Sequence, residues 1–158
     1  FEGRNVKEIG LHKYRRNDIS IVFQQYNLIS YLTAHENVML AMSETDNKLP
    51  NDRKQVAYAL LAKFGIVETK ANRMVNQLSG GEQQRVAIAR SLASNVNLIF
   101  ADEPTGNLDT ATEKEIINVF KELSHEYGKT VIVVTHSDTV SEMSDQRVLL
   151  NDGILKDI

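Results

Sequence analysis

Leu78-Ser79-Gly80-Gly81-Glu82-Gln83-Gln84-Arg85, running on into Val86-Ala87-Ile88-Ala89-Arg90-Ser91-Leu92-Ala93, is the stretch around which the chain is organised. Ser79 can cap a helix, and Glu82, three residues on, completes a capping box. Gly80 and Gly81 leave the backbone bare at the helix start. Beyond them Val86, Ala89 and Ala93 share one face, with Ile88 and Leu92 beside it, so the spacing predicts a helix packed into a core. A bare helix N-terminus presents free N–H groups and the positive end of a dipole, an anion site that a phosphate fits. An ordinary capped helix after a glycine turn has the same local pattern, so the weight falls on what accompanies it.

Composition sets the frame. The 158 residues suffice for one domain with a real core, and 42% hydrophobic with 25% charged residues is ordinary for a soluble globular protein. A net charge of −3 and the lack of any basic run argue against a nucleic-acid footprint, and no nucleic-acid partner is expected. There is no cysteine, hence no disulfide framework and no thiolate metal site. No apolar run approaches the length of a membrane span. The chain begins at Phe1 rather than Met, in what reads as the middle of a strand or turn, so a fragment is expected.

Working outward, residues 8–17 read as a short basic helical connection, and Asp18 to Phe23 as a buried strand. Gln24 and Gln25 follow at once, where an α/β sheet places ligand contacts. Residues 26–34 are unusually apolar for a loop, either tucked under the next helix or waiting for a partner. Glu36 to Met42 and Asp52 to Phe64 read as helices, the second with Val56, Leu60, Leu61 and Phe64 as its stripe and Gly65 as its stop. With a small helix near Glu68 to Met74, residues 35–77 form a mostly helical insertion.

Val96 to Ala101 is apolar enough for a strand buried on both faces of a parallel sheet, and it ends at Asp102-Glu103-Pro104. At a strand's carboxyl end Asp102 could hold Mg²⁺, which prefers oxygen ligands, and Glu103 could orient or deprotonate a water. Thr105 to Asp109 forms a turn whose Asp109 or Thr110 caps a helix reaching about Tyr127, with Ile116, Ile117, Phe120 and Leu123 inward. Thr130 to Val134 is a second fully apolar strand, ending at Thr135-His136-Ser137, so His136 falls in the same row as Gln24 and Asp102-Glu103. Asn151-Asp152-Gly153 is a hairpin turn between two short strands. Gly128-Lys129-Thr130 imitates the tail of a phosphate-binding loop, but position 123 is Leu rather than Gly, and a helix precedes where a strand is required.

Gln24 after an apolar strand, Leu78-Ser79-Gly80-Gly81-Glu82, Leu98 to Glu103, Asn107-Leu108-Asp109 and His136 stand in the order found in ABC-type ATPases, which the chain resembles from about residue 18 to 158. Val22 to Leu28, Ser79 to Arg85 and Glu103 to Asp109 look most like the lipoprotein-release and macrolide-export branch. The resemblance implies an α/β, RecA-like P-loop core with a partial parallel sheet and an α-helical ABC subdomain. In residue terms it implies a core remnant over 1–28, the helical subdomain over 29–94 and the remaining core over 95–158. It implies that Gln24 reaches Mg²⁺ and the attacking water, that Asp102 holds the metal and that Glu103 is the catalytic base. His136 would contact the γ-phosphate, Asp109 would close across a dimer, and Ser79, Gly80, Gly81 and Glu82 would grip ATP held by the second subunit. The signature helix is expected in a different lobe from the strand ending at Asp102.

The implied partners are ATP with Mg²⁺, a second copy of the subunit, and a transmembrane permease docking near Gln24 to Ala34 at the cytoplasmic face of the membrane. The family's Walker A loop and adenine-stacking aromatic belong before residue 1. The chain alone is therefore expected to be inactive, and to expose core surface that the missing strand and helix would cover. The alternative is a soluble ABC ATPase of repair, chromosome maintenance or translation; the compact 35–77 insertion, without heptads, argues against the first two, and the third would carry a second copy of the domain in one chain.

Overall fold

Three short, mostly apolar runs form one parallel sheet: β1 (Ile19–Phe23), β2 (Leu98–Asp102) and β3 (Thr130–Val134), in the order β1-β2-β3. These descriptions come from a computed structural model and cover residues 1–157. The register aligns Ile19 with Leu98 and Thr130 at one end, and Phe23 with Asp102 and Val134 at the other. The carboxyl ends of all three strands thus lie level, and the residues just past them, Gln24, Glu103 and Thr135-His136, emerge in one row.

Ahead of β1, the expected helical connection is two short helices, α1 (Val6–Ile9) and α2 (Leu11–Asn17), broken at Gly10, whose φ of +89° a residue with a side chain rarely adopts. Between β1 and β2 lie α3 (Ala34–Glu44), α4 (Arg53–Lys63), α5 (Glu68–Ala71), a 3₁₀ turn (Val75–Gln77) and α6 (Gly80–Ala93). Thr33 and Glu36 close a capping box at the start of α3, Asp52 caps α4, and Gly65 follows α4 at φ +76°. α7 (Thr110–His125) and α8 (Asp138–Glu142) follow β2 and β3, capped by Asp109 and Ser137.

α6 joins the two parts: it packs on α3 and α4 on one side and on β1 and α7 on the other. Val38, Met42, Leu61, Val86, Ile88 and Ala89 therefore share one continuous apolar cluster with Val22, Ile99, Ala101, Ile116 and Leu123. α6 packs on elements of both parts because its apolar residues reach round more than one face. Fully burying a side chain of this size stabilises by about 1.5–3 kcal/mol.

The strand expected to be buried on both faces, Val96 to Ala101, is fully buried on one: Ile99 and Ala101 are buried, while Leu98 and Phe100 on the other are half-buried. Val22, Ile99 and Ala101 are buried on the helix-covered side, whereas Ile21, Ile132 and Val134 are 39%, 43% and 57% exposed on the other. α6 packs on β1 and α7 on β3, and the second face is left part-exposed. The last two strands, β4 (Val148–Asn151) and β5 (Ile154–Asp157), form an antiparallel hairpin apart from that sheet. Its turn, Asp152-Gly153, has both φ angles positive, as two-residue hairpins favour.

Candidate functional site

Glu103 stands one residue past β2 with φ +44°, a left-handed conformation that only restraint by its neighbours maintains. Its N–H donates to the Val134 carbonyl at 2.9 Å, and its own carbonyl accepts from the Gly106 N–H at 3.1 Å. The turn aims the side chain at β3. Thr135 Oγ1 donates to Glu103 Oε2 at 3.3 Å, and His136 Nε2 lies 3.6 Å from Oε1. That second oxygen is buried and without a hydrogen-bond partner among the described residues, whereas the His136 side chain is 98% exposed. A buried acceptor without a donor beside a free imidazole is an arrangement that can orient a water.

Asp102 is exposed at the end of β2, directly beside Phe23 in register, so Gln24 follows on the adjacent strand end. Gln24 is held by Asn107: its Nε2 donates to Asn107 Oδ1 at 3.4 Å, and Asn107 Nδ2 donates to the Gln24 carbonyl at 3.2 Å. Gly106 is required beside it, because a Cβ there would sit 2.7 Å from Gln24 Nε2. Asp109 caps α7, its Oδ1 accepting from the N–H groups of Ala111 and Thr112. The Thr112 hydroxyl donates to Asp109 Oδ2 and is the chief reason the carboxyl lies below its ordinary pKa.

At the α6 start the capping box forms as expected, Glu82 N–H to Ser79 Oγ and Ser79 N–H to Glu82 Oε2. Lys70 Nζ adds an ion pair to Glu82 Oε1, and it leads the causes that hold this carboxyl below its usual range. The bare anion site is therefore narrower than the sequence implied: a carboxylate already lies at the helix end, and the N–H groups of Gly80 and Gly81 are the ones left without partners among the described residues. Gly81 abuts α7, where a Cβ would meet Thr112 Cγ2 at 2.6 Å, and Gly80 faces the Tyr26 hydroxyl. The signature glycines thus lie against the Asp109 turn.

The strand ends bring Gln24, Asp102, Glu103 and His136 together, while Ser79 to Glu82 and Asp109 form a second group on the same chain. Sequence reasoning missed the residues that hold these groups. Asn107 was read as a turn residue and as part of the Asn107-Leu108-Asp109 stretch, not as the partner of Gln24. Asn37, fully buried, binds the N–H and carbonyl of Ile29 and the carbonyls of Leu32 and Thr33, and so pins the apolar loop. A single Asn among apolar helix positions was the available signal.

A protein-family model described as "ABC transporter" matches residues 1–106. The chain is 46% identical over 153 residues to the uncharacterized ABC transporter ATP-binding protein YclH of Bacillus subtilis, covering 97% of this chain and 67% of that protein. It is 43% identical to the macrolide export ATP-binding/permease protein MacB of Bdellovibrio bacteriovorus, covering 98% of this chain and 23% of that one. Among solved structures it resembles the dimeric post-hydrolysis state of the ATP-binding cassette MJ0796 of Methanocaldococcus jannaschii bound to ADP and Pi. That match has a TM-score of 0.79 at 42% identity and covers 98% of this chain and 68% of the other. The chain spans two thirds or less of the length of these curated relatives.

Proposed function

The chain belongs to the ABC transporter family, and from that premise we propose that it is the nucleotide-binding and hydrolysing part of a membrane transporter's ATPase subunit, powering export or extraction. The observation that carries this reading is Glu103: held left-handed, with one buried oxygen free, 3.6 Å from an exposed His136. Phosphoryl transfer is mostly positioning and charge neutralisation. Glu103 polarises the attacking water, His136 contacts the γ-phosphate, and Gln24, steadied by Asn107, reaches the same water from the adjacent strand.

Mg²⁺ is bound in such sites by one or two carboxylates together with phosphate oxygens and waters. The residues fit that use: Asp102 offers an exposed carboxylate at the strand end, with Gln24 next to it. Such an ion neutralises phosphate charge, and the protein's own part is to hold Asp102 at the level of Glu103.

A second copy of the subunit completes the site. Ser79, Gly80, Gly81 and Glu82 grip the partner subunit's nucleotide through the two free N–H groups, and Asp109 closes across the dimer beside them. The solved dimeric cassette supports this reading. A permease docks near Gln24 to Ala34, where Tyr31 is 75% exposed. No described helix is long and apolar enough to cross a membrane; the proposed location is the cytoplasmic face, held there by that permease. No G-x-x-x-x-G-K-[ST] loop occurs in the 158 residues. We assign the phosphate cradle to another segment of the whole protein, packed on the open face of the sheet, and residues 1–158 by themselves as inactive. On this division 1–28 and 95–158 belong to the core and 29–94 to the helical subdomain.

Steady-state ATP hydrolysis by the whole protein, with and without Glu103→Gln, tests the reading. Turnover abolished by the substitution supports it. A whole protein that hydrolyses no ATP, alone or with its membrane subunit, refutes it.

A further inference from the structure

One carboxylate outside the motifs touches the flanks of both catalytic residues. Glu113, in the first turn of α7, accepts at a single oxygen, Oε1, from Ser137 Oγ at 2.7 Å and from Thr105 Oγ1 at 3.2 Å. Ser137 directly follows His136, and Thr105 lies two residues past Glu103. The Ser137 N–H donates to Thr135 Oγ1 at 3.0 Å, and Thr135 Oγ1 donates to Glu103 Oε2 at 3.3 Å. A continuous hydrogen-bonded path thus runs from Glu113 through Ser137 and Thr135 to Glu103, with His136 between its two middle members.

We propose that Glu113 is a positioning residue that sets the separation of Glu103 and His136 by anchoring the loops that carry them. The assignment rests on the proposed ATPase function. Its own place is firm: the Glu113 N–H donates to the Asp109 carbonyl at 2.8 Å in a turn that Asp109 also caps. An ionised carboxylate is the strongest acceptor available for two hydroxyls at once. It commits the Ser137 and Thr105 protons, and so ties the residue after His136 to the turn that follows Glu103, while leaving the imidazole, itself 98% exposed, clear to meet a phosphate. Among the described residues Glu113 forms no hydrogen bond or ion pair with Glu103 or His136, and its effect passes through the loops that carry them.

The test is steady-state ATP hydrolysis by the whole protein carrying E113A, E113Q, S137A or the E113A/S137A pair. E113A is expected to lower kcat roughly tenfold with the KM for ATP unchanged, the scale of one charge-assisted hydrogen bond used in positioning. E113Q, whose carboxamide oxygen still accepts both hydroxyls, should keep at least about half the rate. The double variant should be no slower than E113A, because both changes cut the same path. A kcat for E113A within about twofold of the parent overturns the assignment, as do losses that multiply or an E113Q as slow as E113A. If E113A does not accumulate folded, S137A decides: an unchanged kcat overturns the proposal. A parent protein without any hydrolysis marks failure of the functional reading instead, and this assignment falls with it.

Discussion

Arg90, on the signature helix α6, donates to the Tyr26 carbonyl at 2.9 Å through Nη2, and Nη1 donates to the neighbouring Asn27 carbonyl. Both acceptors have positive φ, +60° and +48°, in the loop just past Gln24. One guanidinium therefore holds a strained segment against the helix whose other end carries Gly80 and Gly81. Burial pushes the Arg90 pKa down, but the fork remains charged, since Arg does not deprotonate in proteins.

Arg90→Ala should destabilise the whole protein by about 2–3 kcal/mol, the range for hydrogen bonds to a charged group. Arg90→Lys keeps the charge but loses the two-pronged geometry, and should recover only part of that. Hydrogen exchange at the amides of residues 25–29 is the sharper readout. Protection there that survives Arg90→Ala would show that the loop holds its shape unaided.

Gly81→Ala should cost about 1–3 kcal/mol by overpacking, because the added Cβ lands 2.6 Å from Thr112 Cγ2. Thr112→Ser removes that methyl and keeps the hydroxyl that donates to Asp109. The two changes together should therefore be more stable than Gly81→Ala alone, as read from urea-denaturation midpoints. An additive pair would place the strain elsewhere.

The Glu82 carboxyl is held below its ordinary pKa, first by Lys70 and then by the Ser79 N–H. A group whose folded pKa is depressed stabilises the fold above its unfolded pKa and loses that contribution as pH falls through the folded value. Stability of the α6 start should thus be full at neutral pH and decline below the ordinary carboxylate range. Glu82→Gln should lower stability at pH 7 and flatten this acid dependence, seen in thermal midpoints between about pH 3 and 7. An equal slope in the variant and the parent would remove Glu82 from the account.

Asn37→Ala should cost about 2–4 kcal/mol, since it leaves the N–H and carbonyls of the 29–33 loop unpaired in a part-buried setting. The loop should loosen while α3 survives, as its own capping box is untouched. Hydrogen exchange at Ile29 and copurification with the membrane subunit check this together. Unaltered protection at Ile29 would mean that the apolar packing of Leu28 and its neighbours suffices.

What the sequence determined unaided was whatever depends on neighbours within a turn or two. The Ser79–Glu82 and Asp109 caps, the inward stripe Ile116, Ile117, Phe120 and Leu123, and the hairpin turn at Asp152-Gly153 are local physics, and the structure has them. The row of Gln24, Asp102-Glu103 and His136 was also legible, since each ends a run of strand-forming residues and parallel strands align their carboxyl ends. Only the tertiary structure decided which faces were covered and what holds the site. The exposure of Ile21, Ile132 and Val134 reflects which helices reach the sheet, a matter of packing rather than of strand composition. Arg90 on Tyr26, Asn107 on Gln24 and Glu113 on Ser137 join residues 64, 83 and 24 positions apart. No local pattern encodes such pairs: each exists because the register of three strands and the wrap of α6 and α7 bring distant donors and acceptors within about 3 Å, the hydrogen-bond distance.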